Sequence, residues 1–204
     1  MKTLDEPALA ASATRIEATD IAIAETLAEH RDNRAVRAVG TFSEIADQTP
    51  AYALCGAVLA AGLIAGHPKL AGAGVRMLAS TLLATAMKTA LKNTVTRTRP
   101  HLLIDEGAYE FGTSGPDDGD WQSFPSGHTA DAVAAARALT RVFPQTSGPA
   151  YGLAAVVAAA QIPRAKHYPL DVAAGALVGL AAEAIVDRAA SLLQTRLHPP
   201  RTTP

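Results

Sequence analysis

Five apolar segments follow one another along the chain, and they restrict its fold more than any other feature of the sequence. Breaks rich in proline, glycine and charge separate them. Although 49% of the residues are hydrophobic, only 4% are aromatic, so alanine, leucine, valine and glycine supply most of the apolar content. Small aliphatic residues suit closely packed helices better than sheets. The sequence therefore predicts an all-α helical bundle, with segments at residues 51–66, 70–91, 129–143, 150–162 and 172–187.

Charge inside these segments bears on whether they cross a membrane. A spanning helix needs about 20 largely apolar residues, and charged side chains interrupt three of the five segments: Arg76, Lys88, Asp131, Arg137, Arg141 and Glu183. Five apolar segments in 204 residues still favour about five transmembrane helices over a soluble bundle. The small residues Gly175 and Gly179 would let two of these helices approach closely.

The first 50 residues are polar and charged, which sets them apart from the bundle. Helical spacing predicts one or two amphipathic helices lying against the bundle or on a membrane surface. The apolar residues that show this spacing are Ile16, Ile21, Ile23 and Leu27, and later Val36, Val39 and Phe42. The first ten residues lack the positive-then-apolar pattern of a cleaved signal peptide. We therefore expect three regions: an amphipathic region at 1–50, the bundle at 51–187 and a polar tail at 188–204.

Net charge and cysteine content narrow the class of protein. The formal net charge of -1 provides no basic field that would attract nucleic acid, so no nucleic-acid partner is expected. Cys55 is the only cysteine, which excludes an intramolecular disulfide. Its apolar surroundings indicate a small residue of the core or of a lipid-facing surface.

Basic residues predict an orientation in the membrane. If five helices span, the loops at 92–127 and 162–171 share one face, and Lys69, Arg141 and Arg188 lie at the other. By the positive-inside tendency, the second face is cytoplasmic and the two loops face outward. The same topology also places the polar first 50 residues on the outer side with no preceding helix to translocate them, so either they lie in the membrane interface or the number of spanning helices differs by one. The chain is thus expected to be a multi-pass cell-membrane protein with its loops on the periplasmic or extracellular side.

Three short motifs fall at helix ends on this outward face. "KNTVTRTRP" ends the second segment and contains Lys92 and Arg99, "FPSGH" begins the third segment, and "HYPLD" begins the fifth. Cations, free amides at a helix start and two histidines form a suitable site for a phosphoryl group, whose oxygens need positive charge around them. His167 and Asp171 are four residues apart, so the carboxylate can accept a hydrogen bond from one imidazole nitrogen and leave the other to attack phosphorus. His128 can then protonate the leaving oxygen.

In this order, the three motifs resemble those of the type 2 phosphatidic acid phosphatase superfamily. That superfamily includes membrane lipid phosphatases, soluble bacterial acid phosphatases and vanadium haloperoxidases, and the resemblance covers about residues 51–187. It implies a helical bundle and metal-independent hydrolysis of a phosphate ester through a phosphohistidine, with no cofactor. It also implies one role for each matching residue: phosphate binding by Lys92, Arg99, Ser126 and the Gly127 amide, general acid catalysis by His128, nucleophilic attack by His167, and orientation of that histidine by Asp171.

One position departs from the family pattern. The third motif normally places Ser-Arg or a similar pair six residues before the histidine, whereas this chain has Gln161 there. Glutamine donates hydrogen bonds but carries no charge. The nearest arginine is Arg164, whose long side chain could still reach a phosphate, so we expect Arg164 to supply the missing cation.

The acidic loop at 105–120 is a further candidate site, because it holds six carboxylates. Their spacing does not match a calcium-binding loop, so we interpret the segment as a solvated acidic loop and expect no metal site. The expected function is hydrolysis of a lipid phosphate such as phosphatidate, phosphatidylglycerol phosphate or a polyprenyl pyrophosphate at a membrane. Two alternatives stay open at this point: a catalytically weak protein that binds anionic lipid, and a vanadate-dependent haloperoxidase.

Overall fold

Helices make up most of the structure, a computed structural model that describes residues 14–113 and 115–197. Within these residues there are eight α-helices: α1 Arg15–Ala28, α2 Arg34–Ser43, α3 Gln48–Ile64, α4 Pro68–Lys92, α5 Pro100–Glu106, α6 Gly127–Val142, α7 Ser147–Ala160 and α8 Pro169–Leu197. Two short strands, β1 Thr96–Arg97 and β2 Phe111–Gly112, form an antiparallel pair in the loops after α4. The expected helical bundle is therefore confirmed, with this small ribbon added to it.

The centre of the bundle is formed by α4, α6 and α8. Their contact is built mainly from small side chains, with Ala84 of α4, Ala130 and Ala134 of α6, and Val178 and Ala182 of α8 packed together and buried. Helix α3 packs along α4, and α7 packs along α6. Small residues at these contacts bring the helix backbones close together, as the alanine-rich composition predicts.

Two glycines set the distance between α6 and α8. A Cβ atom at Gly175 would collide with the carbonyl oxygen of Ser126, and one at Gly179 would collide with the carbonyl oxygen of Ala130. The expectation that these glycines permit close approach is therefore confirmed. Because both contacts lie in the N-terminal half of α6, they also bring the start of α8 next to the start of α6.

Membrane-spanning character is supported for two helices. Among the described residues, α4 and α8 are long and apolar enough to cross a bilayer, and α3 is apolar but shorter. At 1.5 Å per residue, α3, α6 and α7 are only about 21–26 Å long, against a hydrocarbon core of about 30 Å. The expected count of five spans remains a prediction.

Helix α1 uses a different face for packing than its isoleucine spacing suggests. The side buried against the rest of the protein contains Asp20, Ile21, Ala24 and Ala28. Ile16, Ile23 and Leu27 are instead exposed, with relative exposures of 69%, 42% and 40%. A carboxylate thus points into the protein, while most of the apolar stripe points away from it.

The charges inside the bundle are paired. Lys88 Nζ lies 2.5 Å from Asp131 Oδ2, and Arg137 Nε lies 2.8 Å from Glu183 Oε2. Arg76 also contacts Glu183, at 3.2 Å. Asp131 and Arg137, which interrupt the third apolar segment of the sequence, thus both have a partner of opposite charge. The last helix, α8, extends beyond residue 187, after which a polar tail was expected, and ends at Leu197. His198 and the residues after it lie outside the described residues.

Candidate active site

The three sequence motifs meet in one cavity at the end of the bundle where α4 ends and α6 begins. Its volume is about 260 Å³. Six of the eight residues expected at the site line it: Lys92, Arg99, Gly127, His128, Arg164 and His167. The other two, Ser126 and Asp171, are buried directly behind it, where the Ser126 amide donates to the Asp171 carbonyl over 2.9 Å. The structure therefore brings all eight residues together.

His167 is held as a neutral base. Its Nδ1 lies 2.7 Å from the carbonyl oxygen of Ser123. Because a carbonyl can only accept, Nδ1 carries the proton and Nε2 of the neutral ring keeps its lone pair. Burial lowers the pKa of His167 to about 4, and the nearby Asp171 carboxylate only partly offsets that effect. At neutral pH the ring is thus uncharged and able to act as a nucleophile.

Asp171 orients His167 indirectly, which corrects the expectation of a direct hydrogen bond. Its Oδ2 lies 3.8 Å from His167 Nδ1, beyond hydrogen-bond length. The same carboxylate accepts from Ser123 Oγ at 2.5 Å and from the Tyr168 amide at 2.9 Å. Asp171 therefore fixes Ser123, and the carbonyl of Ser123 fixes the imidazole. Ser123 has no counterpart among the residues predicted from the sequence.

A second residue that sequence reasoning missed is Arg97, which lies between the two cations of the first motif. Its Nη1 donates to Asp171 over 2.7 Å, and its Nη2 donates to Asp20 of α1 over 2.7 Å. The guanidinium also lies over the Tyr168 ring, 3.9 Å from the centroid. The motif "KNTVTRTRP" contains three basic residues, which was the only sequence feature that could have indicated Arg97. The sequence alone does not show which of the three is buried in the protein.

The cations of the first motif donate hydrogen bonds to the main chain at the end of the acidic loop and directly after it. Lys92 Nζ donates to the carbonyl of Gln122, and Arg99 Nε donates to the carbonyl of Gly119 over 2.8 Å. The Arg99 amide also donates to the Asp120 carbonyl over 2.8 Å. The main chain at residues 119–122, at the end of the acidic loop and directly after it, therefore positions both cations. No group of three or more possible metal ligands (His, Cys, Asp or Glu) occurs within residues 14–113 and 115–197.

Gln161 and Arg164 both reach Ser43, the last residue of α2. Helix α7 ends at Ala160, so the two residues lie in a turn and do not continue the helix. Gln161 is fully buried, and its Nε2 donates to Ser43 Oγ over 3.2 Å and to the Val157 carbonyl over 2.9 Å. Arg164 Nη1 donates to the same hydroxyl over 2.9 Å. Both residues line the cavity, but Arg164 brings a charge to it, whereas the side-chain nitrogen of Gln161 is engaged in these two hydrogen bonds.

Glu44 is the third residue that the sequence did not indicate. Its Oε1 lies 2.5 Å from Arg164 Nη2, and its Oε2 lies 3.2 Å from His128 Nε2. Burial by itself would raise the pKa of Glu44, but hydrogen bonds from Arg164 and His128 outweigh burial and hold that pKa below its ordinary value. An ionised carboxylate from the N-terminal region therefore lies between two residues of the candidate site.

Comparison with known proteins agrees with this geometry. The model of the PAP2 superfamily matches residues 73–191, which contain all three motifs. The chain belongs to the PAP2 superfamily. The crystal structure of Aquifex aeolicus LpxE has the same fold, with a TM-score of 0.61 and 20% identity over 82% of this chain and 94% of that chain. No curated protein sequence matches the chain significantly. Membership of the PAP2 superfamily supports a phosphoric ester hydrolase.

Proposed function

We propose that this PAP2 protein hydrolyses the phosphate monoester or pyrophosphate of a membrane lipid through a phosphohistidine on His167. One observation carries the proposal: the neutral His167 lines a cavity that it shares with Lys92, Arg99, His128 and Arg164. A nucleophile without charge, surrounded by cations, suits attack on an anionic phosphoryl group.

In the first step, the lone pair on His167 Nε2 forms a bond to phosphorus while the bond to the leaving oxygen breaks. His128 gives its proton to that oxygen, so the lipid leaves as an alcohol, or as a phosphate if the substrate is a pyrophosphate. Lys92, Arg99 and Arg164 stabilise the charge on the three equatorial oxygens. The start of α6, with the Gly127 amide, adds the positive end of a helix dipole.

In the second step, water attacks the phosphohistidine and the phosphorus–nitrogen bond breaks. His128, now neutral, accepts a proton from that water, so inorganic phosphate is released and both histidines return to their starting states. Ser123 and Asp171 keep the His167 ring in the same orientation throughout. Both steps use only groups of this protein and one water molecule.

An apolar groove beside the cavity supports a lipid as substrate. It lies between α3, α6 and α7, has a volume of about 120 Å³, and is lined by Ile45, Leu54, Ala135, Leu139 and Val157 among others. Ile45 directly follows Glu44, which lines the phosphate cavity, so consecutive residues of one turn line the groove and the cavity. A phosphate in the cavity would therefore leave its hydrocarbon chain next to an apolar surface. The two apolar helices α4 and α8 fit a membrane location. The multi-pass arrangement with the site on the outer side is proposed from the order of the apolar segments and the placement of the basic residues.

The test is phosphate release from phosphatidate, phosphatidylglycerol phosphate and a polyprenyl pyrophosphate by purified protein in detergent, with a chelator present. We expect turnover of at least one of them and inhibition by vanadate, which resembles the five-coordinate transition state. His167→Ala should remove turnover, whereas His128→Ala should retain traces with good leaving groups, since loss of a general acid typically costs about 10²–10⁴ in rate.

Each contrary result has a clear meaning. Full activity of His167→Ala would contradict the nucleophile, and activity that a chelator abolishes and a divalent cation restores would contradict a metal-free reaction. Binding of lipid phosphates without turnover would instead favour the catalytically weak lipid-binding protein.

A further inference from the structure

The carboxylate of Glu44 lies where an anionic ligand of the cavity would be expected. Glu44 begins the 3-10 turn Glu44–Ala46, which follows α2 and lies outside the part of the chain that the PAP2 model matches. Its two oxygens contact two different candidate site residues, Arg164 at 2.5 Å and His128 at 3.2 Å. Arginine binds carboxylates and phosphates with the same pair of N–H groups, so these two anions compete for one guanidinium.

The charges of the cavity indicate why an internal anion is present. Four lysine and arginine residues besides Arg164 line it: Lys88, Lys92, Arg99 and Lys166. Lys88 is already paired with Asp131, but cations at one site repel one another and gain from a nearby anion. Glu44 supplies such an anion from within the chain. Its side chain is 47% exposed, so it can leave these contacts without being pulled out of a packed core.

We propose that Glu44 is an internal competitor for the phosphate site: its carboxylate holds Arg164 and His128 in the free protein, and a substrate phosphate has to displace it in order to bind. This inference rests on the proposed function, because it requires that phosphate binds in this cavity. Displacement releases the Arg164 guanidinium for two phosphate oxygens and His128 Nε2 for the leaving oxygen. Arg164, which would replace the cation missing at position 161, is thus free to bind phosphate only after an anion has displaced Glu44.

The competition restricts which anions occupy the cavity. A terminal phosphate carries a charge of about -1.5 to -2 at neutral pH, whereas a phosphodiester headgroup carries only one negative charge. Every anion has to displace Glu44, but the doubly charged group gains more from Lys92 and Arg99 and can offset that cost. Ordinary phosphodiester lipids, abundant at a membrane surface, would then leave the site empty.

The test is the affinity of purified protein for inorganic phosphate, measured by calorimetry in detergent, for the unchanged protein, Glu44→Gln and Asp47→Asn. Asp47 lines the same cavity but is not a hydrogen-bond partner of Arg164 or His128 in the described structure, so its variant removes the same charge without the contact. We expect Glu44→Gln to bind phosphate about fivefold to tenfold more tightly, as loss of a partly exposed ion pair allows. Asp47→Asn should change the affinity by about twofold or less.

Turnover of a lipid phosphate gives a second measurement. Glu44→Gln should lower KM while kcat is maintained, and Glu44→Ala should behave in the same way. Equal or weaker phosphate binding by Glu44→Gln, or a fall in kcat, would overturn the inference in favour of a carboxylate that positions His128 and Arg164. If the unchanged protein binds and hydrolyses phosphate esters in that case, the proposed function survives. If neither protein binds phosphate, both fail.

Discussion

At the scale of single residues, the candidate site depends on indirect contacts. Asp171 lies 3.8 Å from His167 Nδ1, beyond hydrogen-bond length, yet it accepts hydrogen bonds from Ser123 and Arg97, and the Ser123 carbonyl accepts the Nδ1 proton. A backbone carbonyl cannot change its protonation state. It therefore fixes the tautomer of His167 more rigidly than a carboxylate would, and it leaves the ring uncharged.

The protonation of His167 can be measured directly. Its pKa is lowered to about 4 by burial, against an ordinary value of 6.5, so the unfolded chain binds the proton more readily between these two pH values. The stability contributed by the neutral ring is thus present above pH 6.5 and is lost as the pH falls toward 4. Nitrogen NMR of labelled histidine should show an Nδ1–H tautomer that titrates near pH 4. A midpoint near 6.5 would contradict the buried, neutral state.

Arg164 gives a second prediction at this scale. If it stabilises the transition state, Arg164→Ala should lower kcat/KM by about 10²-fold or more. Gln161→Ala should cost much less, because the Gln161 amide donates to Ser43 and to the Val157 carbonyl. Both variants are assayed on one soluble phosphate ester. Near-normal efficiency of Arg164→Ala would show that the cation is dispensable, and a gain in Gln161→Arg would then indicate a cavity that lacks one charge.

At the scale of helices, the contact between α6 and α8 determines the geometry of the site. The start of α6 carries Ser126, Gly127 and His128, and the start of α8 carries Asp171. Gly175 lies one turn after Asp171 and touches the Ser126 carbonyl. Any residue larger than glycine at position 175 would therefore move the two helix starts apart.

A pair of alanine substitutions tests this contact. Gly175→Ala should lower both the melting temperature and the activity, because backbone atoms block the added methyl group. Gly152→Ala in α7 is the matched control, since the space around that position is open. Removal of a glycine from a helix interior should stabilise the control by up to about 1 kcal/mol. Equal behaviour of the two variants would argue against a role of Gly175 in spacing the helices.

The sequence predicted the site residues whose position follows from the local sequence around them. Lys92, Arg99, His128 and His167 could be found because each lies at a helix end that local proline, glycine and apolar patterns indicate. Arg97, Ser123 and Glu44 could not, because their roles come from partners far away in the chain: Arg97 bonds across 74 residues and Glu44 across 120. Such contacts depend on how the helices pack, which local patterns do not reveal.

At the scale of the whole molecule, the N-terminal region is joined to the site. Asp20 of α1 accepts hydrogen bonds from Arg97 and from the Leu170 amide at the start of α8, and it is almost fully buried. Residues 14–47 thus lie at the same end of the bundle as the cavity. The side of the membrane on which these residues lie stays a prediction.

Asp20 can be tested against an exposed pair from the same region. Asp20→Asn removes the charge that pairs with the buried guanidinium of Arg97 and leaves one acceptor oxygen for two donors, Arg97 and the Leu170 amide. Breaking a buried ion pair costs about 3–5 kcal/mol. We expect a clear fall in melting temperature and a loss of activity. Asp105→Asn, which breaks an exposed pair between the loop and Arg31 of the N-terminal region, should change either quantity little. An unchanged melting temperature and activity in Asp20→Asn would show that the contact of α1 with the bundle is not required for stability or activity.

The hydrogen bonds of Asp20 also bear on how this chain could vary over evolution. A single carboxylate there connects α1, the first motif through Arg97, and the start of α8 through Leu170. We therefore expect these three segments to coevolve. A change in the length or register of α1 would require compensating changes around positions 97 and 170. Chimeras that join the first 50 residues of one relative to the bundle of another should work only when this carboxylate and its arginine come from compatible parents. We therefore expect the part of the chain needed for function to begin before residue 73, where the PAP2 match starts.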